Sequence, residues 1–303
     1  MKGSPRITII TPSFNQGAFL EQTMRSVLDQ GYSNLDYIVI DGGSRDGSRE
    51  IISSYADRLS WWVSEPDRGQ VHAINKGLAR ADGEIFAFLN SDDLYLPGAL
   101  SAVADHFSTY ADCDWLCGDT LFFGEGHPTR LFEAVVPASA GQALSWAAHA
   151  PQPGMFWRRR VLAGEIRGFD ESLNYCFDHE FYVRLLLAGF HCEHLPLPLA
   201  AYRLHAESKT VSSADSFDRE FDEIARRYET RLTGRERRWT KSTRIFRESY
   251  SASTSGEARR AVRLLLDAAR IYPESLSTRL FWGCLRRFLK SLKGPIGSGE
   301  RPF

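Results

Sequence analysis

The sequence has few cysteines and lacks a long apolar run. Its five cysteines are spread over 303 residues without a CxxC pair or a Cys/His ligand spacing. This spacing argues against a disulfide scaffold or a structural zinc site and favours a reducing compartment. The absence of a run of about 18 apolar residues excludes a membrane-spanning helix. An apolar, β-rich segment begins shortly after Met1 and leaves no room for a signal peptide, so we expect a cytoplasmic protein.

Two glycine motifs that bind nucleotide phosphates are also missing. Gly42 and Gly47 have the separation of a P-loop, but Ser48 and Arg49 follow where a lysine and a Ser/Thr are required. The pattern G-x-G-x-x-G does not follow the first apolar segment either. The sequence therefore favours neither a P-loop ATPase nor an NAD-dependent enzyme.

The two ends of the chain differ in charge. The net charge is −1, but residues 1–218 contain 17 Lys/Arg against 28 Asp/Glu, and residues 219–303 contain 20 against 10. The chain is 43% hydrophobic and 12% aromatic, which is enough for a large core. We therefore predict a folded domain that carries the chemistry over residues 1–214 and a basic helical extension over residues 215–303.

Short apolar segments alternate with segments of helical periodicity through the first 120 residues. The apolar segments are typical of strands buried on both faces, and they are residues 7–11, 37–41, 61–64 and 85–90. Between them, apolar residues recur at helical spacing, as at Val71, Ile74 and Leu78. This alternation predicts an α/β fold with a parallel sheet flanked by helices.

Polar residues and glycines follow each of the four predicted strands. They form the segments TPSFN at 11–15, DGGSRDGS at 41–48, EPDRG at 65–69 and NSDD at 90–93. Each segment alone is compatible with an ordinary turn. Ligands of parallel α/β sheets bind beyond the carboxyl ends of the strands, so the four segments together predict a binding site at that edge.

Two adjacent carboxylates, Asp92 and Asp93, follow the very apolar fourth strand. Adjacent acids repel one another unless a cation or hydrogen-bond donors compensate them. Mg²⁺ is commonly held by one or two carboxylates together with substrate phosphates, so the pair predicts a divalent metal site. The alternative is that these acids cap a helix that begins near Pro97.

Further motifs follow in order, and the whole set covers residues 6–210. Its members are TPSFN, YIVIDGGS at 37–44, NSDD, GFDESL at 168–173, DHEFYVRL at 178–185 and YRLH at 202–205, with SKT at 208–210 after it. In this order they resemble the inverting family 2 glycosyltransferases. The resemblance implies a GT-A fold, with a Rossmann-like, mostly parallel mixed sheet in a catalytic domain and helices in the C-terminal extension.

The resemblance also implies a nucleotide-diphosphate-sugar donor, usually UDP-linked, and a Mn²⁺ or Mg²⁺ cofactor. It places the donor nucleotide against Thr11, Pro12, Asn15, Asp41, Arg68, Asn90 and Asp92, which lie at or near the predicted strand ends, and against Lys76. It assigns the metal to Asp93 and His205, with Asp93 as the principal contact. The first position of the acidic motif is Asn90 here, where the family has Asp.

Sugar transfer with inversion requires one carboxylate to deprotonate the acceptor hydroxyl. The family usually carries Glu-Asp near the start of a helix, where this chain has Phe177 and Asp178, and Glu180 is a competing candidate. Side chains two positions apart on a helix point about 200° apart, so Asp178 and Glu180 cannot enter the same site. Glu180 and Arg184 have the i,i+4 spacing of a salt bridge, which leaves Asp178 as the predicted base.

An apolar, proline-rich segment at residues 149–157 contains Gln152 and Trp157. Aromatic and amide groups suit a sugar acceptor, whose ring face stacks while its hydroxyls form hydrogen bonds. The alternative is a packed core loop. The Gln-x-x-Arg-Trp motif is absent, which disfavours a processive synthase. We therefore expect a hexosyltransferase that adds one sugar to a glycan or lipid-linked acceptor in cell-surface polysaccharide synthesis.

Two other functions are kept as alternatives. A nucleotidyltransferase that forms nucleotide sugars would have a basic, glycine-rich loop after the first strand, but FNQG at 14–17 contains no basic residue. A non-catalytic nucleotide-sugar-binding module would not need Asp178 and Asp93 together. No nucleic-acid partner is expected.

The basic extension contains an amphipathic segment, RLFWGCLRRFLKSLK at residues 279–293. At 100° per residue its large apolar side chains share a face of about 120°, with Arg and Lys in the next sector. Such a face suits a helix that lies in an anionic membrane interface and predicts a peripheral contact at the inner face of the membrane. The alternative is that this face packs on the helix around residues 261–269.

Overall fold

The computed structural model describes residues 4–145, 150–209, 213–274, 282 and 285–286. The chain divides into two compact units, one comprising Met1–Ala138 with His149–Ile224 and the other comprising Ser139–Ala148 with Ala225–Phe303. The division into residues 1–214 and 215–303 stays a prediction.

A mixed sheet lies at the centre of the first unit. Its strands are β1 (Ile7–Ser13), β2 (Leu35–Asp41), β3 (Trp61–Ser64), β4 (Ile85–Phe88), β5 (Leu94–Tyr95), β6 (Trp115–Gly124), β7 (His127–Phe132), β8 (Met155–Arg158) and β9 (Cys192–Arg203). Their order is β3-β2-β1-β4-β8-β6-β9-β5, with β7 paired to β6. Strands β3, β2, β1 and β4 are parallel, whereas β8 is antiparallel to both β4 and β6.

Helices connect many of these strands. They are α1 (Gly17–Leu28), α2 (Ser48–Ser54), α3 (Gln70–Leu78), α4 (Ala99–Thr109), α5 (Ala140–Ala143), α6 (Phe177–Leu187), α7 (Ala214–Tyr228), α8 (Gly234–Thr254) and α9 (Ala258–Ile271). Helix α1 buries Leu20, Met24 and Val27, the positions that have helical spacing in the sequence. The predicted α/β fold, with a sheet flanked by helices, is confirmed.

The parallel register brings the ends of β1, β2 and β3 to one edge of the sheet. Ser13 pairs with Asp41, and Asp41 pairs with Ser64. Strand β1 is buried along its whole length and β2 along nearly all of it, as expected for strands covered on both faces. The loops that follow these strands therefore start side by side.

An aromatic cluster packs α6 against the sheet. The Trp157 ring on β8 stacks on Phe86 and Phe88 of β4, with centroid distances of 5.5 and 6.1 Å. Phe169 and Phe181 meet the same ring edge-on at 6.0 and 5.7 Å. Stacked and edge-on pairs each contribute about 0.5–1.5 kcal/mol beyond their buried area. The cluster therefore anchors α6, which contains Phe181.

Helices α8 and α9 pack on each other in the second unit. Helix α8 begins with a capping box, in which Thr233 and Glu236 each bond the backbone N–H of the other. Phe246, Leu265 and Ala268 form a buried group at the contact, which we call the Phe246 cluster.

Most of the predicted tail helix at residues 279–293 lies outside the described residues. Of that segment, Leu285 packs against the Phe246 cluster, and Trp282 is 56% exposed. The Leu285 contact agrees with the alternative in which this segment packs on the protein. In the described part of the chain, no helix is long and apolar enough to cross a membrane.

Candidate active site

The loops after β1 and β2 are joined by Asn15. Its backbone N–H donates to Ser44 Oγ at 2.7 Å, and its Oδ1 accepts the N–H of Arg45 at 3.0 Å. Asn15 has a φ of 53°, in the left-handed region where Asn is one of the few tolerated residues. The two bonds to the loop after β2 stabilise that conformation. They also place the predicted donor residue Asn15 where the two loops meet.

Asp41, at the end of β2, is fully buried. Its Oδ2 accepts N–H bonds from Gly43 at 3.2 Å and Ser44 at 3.0 Å, and a hydroxyl bond from Ser64 at 2.6 Å. Its Oδ1 accepts the Ser44 hydroxyl. These bonds shape the loop after β2 and use most of the acceptor sites of the carboxylate. The contact between Asp41 and the donor base stays a prediction.

The side chains of Thr11 and Pro12 are buried within β1, and Thr11 Oγ1 lies 3.0 Å from Tyr37 Oη. Neither residue offers an exposed surface at this edge of the sheet. Their donor contacts stay predictions.

Phe14 was not among the predicted site residues, but its side chain is 60% exposed at this edge. A Cβ atom on Gly42 would lie 3.2 Å from the Phe14 ring and 3.0 Å from Asp67 Oδ2, so the glycine gives the ring room beside the second loop. An exposed aromatic ring offers a face on which a nucleobase stacks. The signal in the sequence is the one aromatic residue in the otherwise non-aromatic TPSFN segment.

Arg68, before α3, and Lys76, within it, both form ion pairs. Arg68 Nη2 lies 2.7 Å from Glu171 Oε2, and Lys76 Nζ lies 2.7 Å from Glu65 Oε1. Lys76 is half-buried, whereas the Arg68 pair is exposed. Exposed pairs contribute about 1 kcal/mol or less, so Arg68 can exchange its partner at little cost. Their contacts with a donor stay predictions.

The two carboxylates after β4 have different partners. Asp92 Oδ2 lies 3.0 Å from His205 Nε2, and these side chains are 20% and 15% exposed. Asp93 is 1% exposed, its Oδ1 accepts the backbone N–H of Arg203 at 2.9 Å, and its Oδ2 lies 3.4 Å from Asn90 Nδ2. The structure therefore brings His205 to Asp92, and the metal contacts expected for Asp93 and His205 stay predictions.

Asp93 belongs to the buried part of this turn. Burial, and then the negative charge of Asp92, raise the pKa of Asp93 well above its usual range. Thr23 of α1 supports the turn, because its hydroxyl lies 2.9 Å from the Ser91 carbonyl and 2.8 Å from the Asp93 carbonyl. Asp92 is consequently the more accessible of the two acids.

Asp92 and His205 are candidate ligands of a divalent cation. Their Oδ2 and Nε2 atoms lie 3.0 Å apart, the distance of a direct hydrogen bond, so a cation would have to replace the proton between them. Imidazole and carboxylate are both ligands that first-row divalent metals accept. The donor pair is therefore compatible with Mn²⁺ or Mg²⁺.

A second group of potential metal ligands lies elsewhere in the described part of the chain. His106, Cys113 and Glu193 place their ligand atoms within 4.8 Å of one another. Burial raises the pKa of the Cys113 thiol to about 12, and the thiol donates to the Trp115 carbonyl at 3.2 Å. Because a metal-binding cysteine must be deprotonated, we interpret this group as a hydrogen-bonded cluster.

A chain of hydrogen bonds runs from the acidic turn towards α6. Gln70 Nε2 donates to Asn90 Oδ1 at 2.7 Å, and Gln70 Oε1 accepts a bond from Lys209 Nζ at 2.8 Å. Lys209 also donates to the Asn174 carbonyl at 3.0 Å. Gln152 Oε1 lies 3.4 Å from Asn90 Nδ2. The predicted donor residue Asn90 and the predicted acceptor residue Gln152 are therefore neighbours.

The first turn of α6 separates Asp178 from Glu180. Glu180 is 1% exposed, and its two carboxylate oxygens lie 2.8 and 2.9 Å from Arg184 Nε, so the predicted salt bridge is present. Asp178 is half-buried, and its Oδ1 accepts the His179 N–H at 2.8 Å. Burial raises the pKa of Asp178 to about 6, in the range that suits a general base.

Trp157 lies in the core and not at an acceptor site. Its side chain is 0% exposed within the aromatic cluster that anchors α6. It cannot stack on a sugar, so the predicted acceptor contact of Trp157 is wrong. The alternative of a packed core loop is correct for this residue.

The family model for glycosyl transferase family 2 matches residues 8–167, more than half of the chain. The chain belongs to this family. It is 31% identical over 191 residues to an uncharacterized glycosyltransferase of Mycobacterium tuberculosis, covering 62% of this chain and 71% of the relative. It is 32% identical over 133 residues to the GalNAc(5)-diNAcBac-PP-undecaprenol beta-1,3-glucosyltransferase of Campylobacter jejuni, covering 42% of each chain.

Solved structures have the same fold as this glycosyltransferase. S. aureus TarS in complex with UDP-GlcNAc has a TM-score of 0.66 at 16% identity, covering 94% of this chain and 89% of that chain. The mannosyltransferase PcManGT from Pyrobaculum calidifontis, in complex with GDP-Man and Mn²⁺, has a TM-score of 0.53 at 17% identity, covering 96% and 88%. The expected family and GT-A fold are confirmed.

Proposed function

We propose that this glycosyltransferase is metal-dependent and inverting, and that it transfers one sugar from a UDP-sugar to a glycan or lipid-linked acceptor in cell-surface polysaccharide synthesis. The observation that carries the proposal is the hydrogen-bond chain from Asn90 through Gln70 and Lys209 to Asn174. It links the turn that contains Asp92 to the loop before Asp178. A metal site and a base must both lie close to the reacting bond. This hydrogen-bond chain joins the two segments that position them.

The donor nucleotide binds across the loops after β1 and β2. Phe14 presents its exposed ring to the base, Asn15 and Asp41 order the two loops, and Arg68 and Lys76 supply positive charge for the diphosphate. TarS is solved with UDP-GlcNAc and PcManGT with GDP-Man, which supports a nucleotide-diphosphate sugar as the donor.

Asp92 and His205 would hold the Mn²⁺ or Mg²⁺ ion, and Asp93 would support the turn from within the core. When bound, the cation supplies electrostatic stabilisation of the departing diphosphate. The Mn²⁺ in the PcManGT complex supports a divalent metal in this fold. Arg203 orients the site through its backbone bond to Asp93 and through its side-chain bond to the Asp92 carbonyl at 2.8 Å.

Asp178 takes the proton from the acceptor hydroxyl. With a pKa of about 6 it is ionised at neutral pH and more basic than an exposed aspartate. The positive charge of Lys209 favours its ionised form. Gln152, next to Asn90, stays the candidate for an acceptor contact. The C. jejuni relative is named for an undecaprenol-linked acceptor, which supports a lipid-linked acceptor here.

Nucleotide release distinguishes this function from its alternatives. Purified protein is incubated with a panel of nucleotide sugars and Mn²⁺, with and without an extract of lipid-linked and glycan acceptors. UDP release that needs both the acceptor and the metal supports the proposal. Formation of a nucleotide sugar from UTP and a sugar 1-phosphate would indicate a nucleotidyltransferase, and binding without release would indicate a binding module.

A further inference from the structure

A carboxylate from α7 binds the backbone just before α6. Glu220 Oε1 accepts the N–H of Asn174, and Glu220 Oε2 accepts the N–H groups of Tyr175 and Cys176, all at 2.8 Å. Successive backbone N–H groups that point at one anion form a nest. Bonds to an ionised acceptor are roughly twice as strong as neutral ones. Glu220 therefore fixes the chain at the entrance to α6.

Side-chain packing holds α7 in the same place. The Phe217 ring lies 5.2 Å from the Tyr175 ring, and the Phe221 ring lies 4.5 Å from the His179 ring. Cys176 Sγ also donates to the Phe217 carbonyl at 3.5 Å. Positions 217, 220 and 221 share one helical face. This face of α7 contacts both the loop and the first turn of α6.

Asn174 is held through both its N–H and its carbonyl. The N–H donates to Glu220, and the carbonyl accepts the Lys209 Nζ bond at 3.0 Å. Lys209 lies four residues after His205 in the sequence, and its ammonium also reaches Gln70. The loop before α6 is consequently bonded to Lys209, which leads to the acidic turn, on one side and to α7 on the other.

We propose that Glu220 is a positioning residue for the transfer reaction, because it fixes the loop at residues 174–176 and thereby sets the direction of the Asp178 carboxylate. This inference rests on the proposed role of Asp178 as the base. Asp178 follows the nest by two residues, so its side chain moves with the backbone that Glu220 holds. A misplacement of about 1 Å in a reacting group reduces the rate by about 10²-fold.

Glu220 also acts on Asp178 through its charge. Burial is the largest cause of the raised pKa of Asp178, the negative charge of Glu220 raises it further, and Lys209 lowers it. Within α6, the His179 N–H donates to Asp178, and burial, then the charge of Asp178, raise the pKa of the Tyr182 phenol well above its usual range. Removal of the Glu220 charge should therefore lower the pKa of Asp178 and shift the acidic limb of the pH–rate profile to lower pH. A merely structural role predicts no such shift.

Glu220→Gln tests the inference, because the amide keeps the shape of the side chain but loses the charge and one acceptor atom. We expect a folded protein by circular dichroism and a donor KM within about twofold of wild type. We expect kcat to fall by at least about tenfold, but by less than the about 10²-fold expected for a 1 Å displacement. We also expect the acidic limb of the pH–rate profile to move to lower pH. Glu220→Asp keeps the charge but shortens the reach, so it should lower kcat and leave the limb in place.

Asp218→Asn is the matched control. It removes the same charge from an exposed position on α7, about 200° around the helix from Glu220, and should leave kcat and the acidic limb unchanged. A wild-type kcat and pH profile in Glu220→Gln, or an equal defect in Asp218→Asn, overturns the inference. If Glu220→Gln does not fold, Glu220→Asp decides: a lower kcat at unchanged donor KM supports the inference, and a wild-type kcat overturns it.

Failure of the proposed base is recognised separately. Normal transfer by Asp178→Asn removes the base assignment and this inference with it. A loss of transfer in Asp178→Asn, together with normal transfer in Glu220→Gln, leaves the base in place and overturns only the role of Glu220.

Discussion

The residues Asp92 and Asp93 are neighbours in sequence but differ in their surroundings. Asp92 faces His205 at a partly exposed position, whereas Asp93 is buried against the Arg203 backbone. A cation needs an accessible, ionised ligand, and burial raises the pKa of Asp93 instead. We therefore assign different roles to the two acids.

Mutation of a residue that only hydrogen-bonds a metal ligand lowers metal affinity by about 10–100-fold. Asp92→Asn removes a proposed ligand itself, so it should lower Mn²⁺ affinity by more than this and abolish metal-dependent turnover. Asp93→Asn should keep measurable turnover, because its amide oxygen still accepts the Arg203 N–H. Electron paramagnetic resonance of Mn²⁺ measures the affinity without using activity. A larger loss of affinity in Asp93→Asn than in Asp92→Asn would show that the two roles are reversed.

Asp178→Asn should reduce transfer by about 10²–10⁴-fold while donor binding survives. In the wild type, the rate should fall as the pH drops through about 6, because the base becomes protonated. Glu180→Gln serves as the matched variant, since its side chain pairs with Arg184 and should cost much less activity per folded molecule. Initial rates across pH 5–9 test both statements, and the opposite order of the two defects contradicts the assignment.

The same two variants should change stability in opposite directions. The folded pKa of Asp178 exceeds the 3.8 of an exposed aspartate, so its ionisation destabilises the fold. This cost is absent below about pH 4 and complete above about pH 6, where Asp178→Asn should raise stability by at most about 3 kcal/mol. Glu180→Gln breaks a buried pair and should lower stability by about 3–5 kcal/mol. Calorimetry at pH 5 and pH 8 measures both.

At the residue scale, the sequence separates Asp178 from Glu180 because helical geometry puts them on different faces. It does not separate Asp92 from Asp93, since their directions depend on a turn that distant groups hold. Trp157 is misassigned for a related reason. An aromatic residue in a predicted loop has the same pattern whether it lines a site or fills the core.

At the scale of elements, α1 supports the acidic turn through the Thr23 hydroxyl. Thr23→Val keeps the shape of the side chain but leaves buried carbonyls without their donor, so stability should fall by about 1–3 kcal/mol. Mn²⁺ affinity should also fall, because the turn that contains Asp92 loosens. Urea unfolding and Mn²⁺ titration measure the two effects. Thr23→Ser keeps the hydroxyl and should behave like wild type, and a wild-type result for Thr23→Val would exclude this support.

The strands of the parallel half of the sheet are predictable because their apolar segments are short, continuous and separated by helices. Strand β3 matches its predicted bounds, and β4 ends at Phe88, two residues before the predicted end. The antiparallel pairings of β8 with β4 and β6 join distant segments, and no local pattern specifies them. The contact of α7 with α6 is of the same kind, so Glu220 was not a predicted site residue.

At the scale of the whole molecule, the basic end of the chain predicts a surface interaction. Residues 219–303 carry 20 Lys/Arg against 10 Asp/Glu, and α9 exposes Arg259, Arg263 and Leu266 along one face. We expect the full-length protein to bind anionic vesicles, and we expect binding to weaken with salt because each basic residue near the surface contributes about 1 kcal/mol. Vesicle sedimentation at two salt concentrations measures this.

Deletion of residues 275–303 should remove most of that binding if the segment at 279–293 mediates it. A truncated protein that stays folded and binds vesicles as well as the intact chain would contradict the membrane contact. Neutral vesicles of the same size provide the control for charge.

The ion pair between Arg68 and Glu171 joins positions 103 residues apart and has a consequence for turnover. Burial opposes ionisation of Glu171, but the bonds from Arg68 and Asn75 outweigh it and hold its pKa below the usual range. Glu171 is thus a standing competitor for the guanidinium. Under the proposed role of Arg68, binding of the donor would exchange one anion for another, with little net gain in affinity. The reverse exchange would then help to release the spent nucleotide, because Arg68 would return to Glu171 rather than to bare solvent.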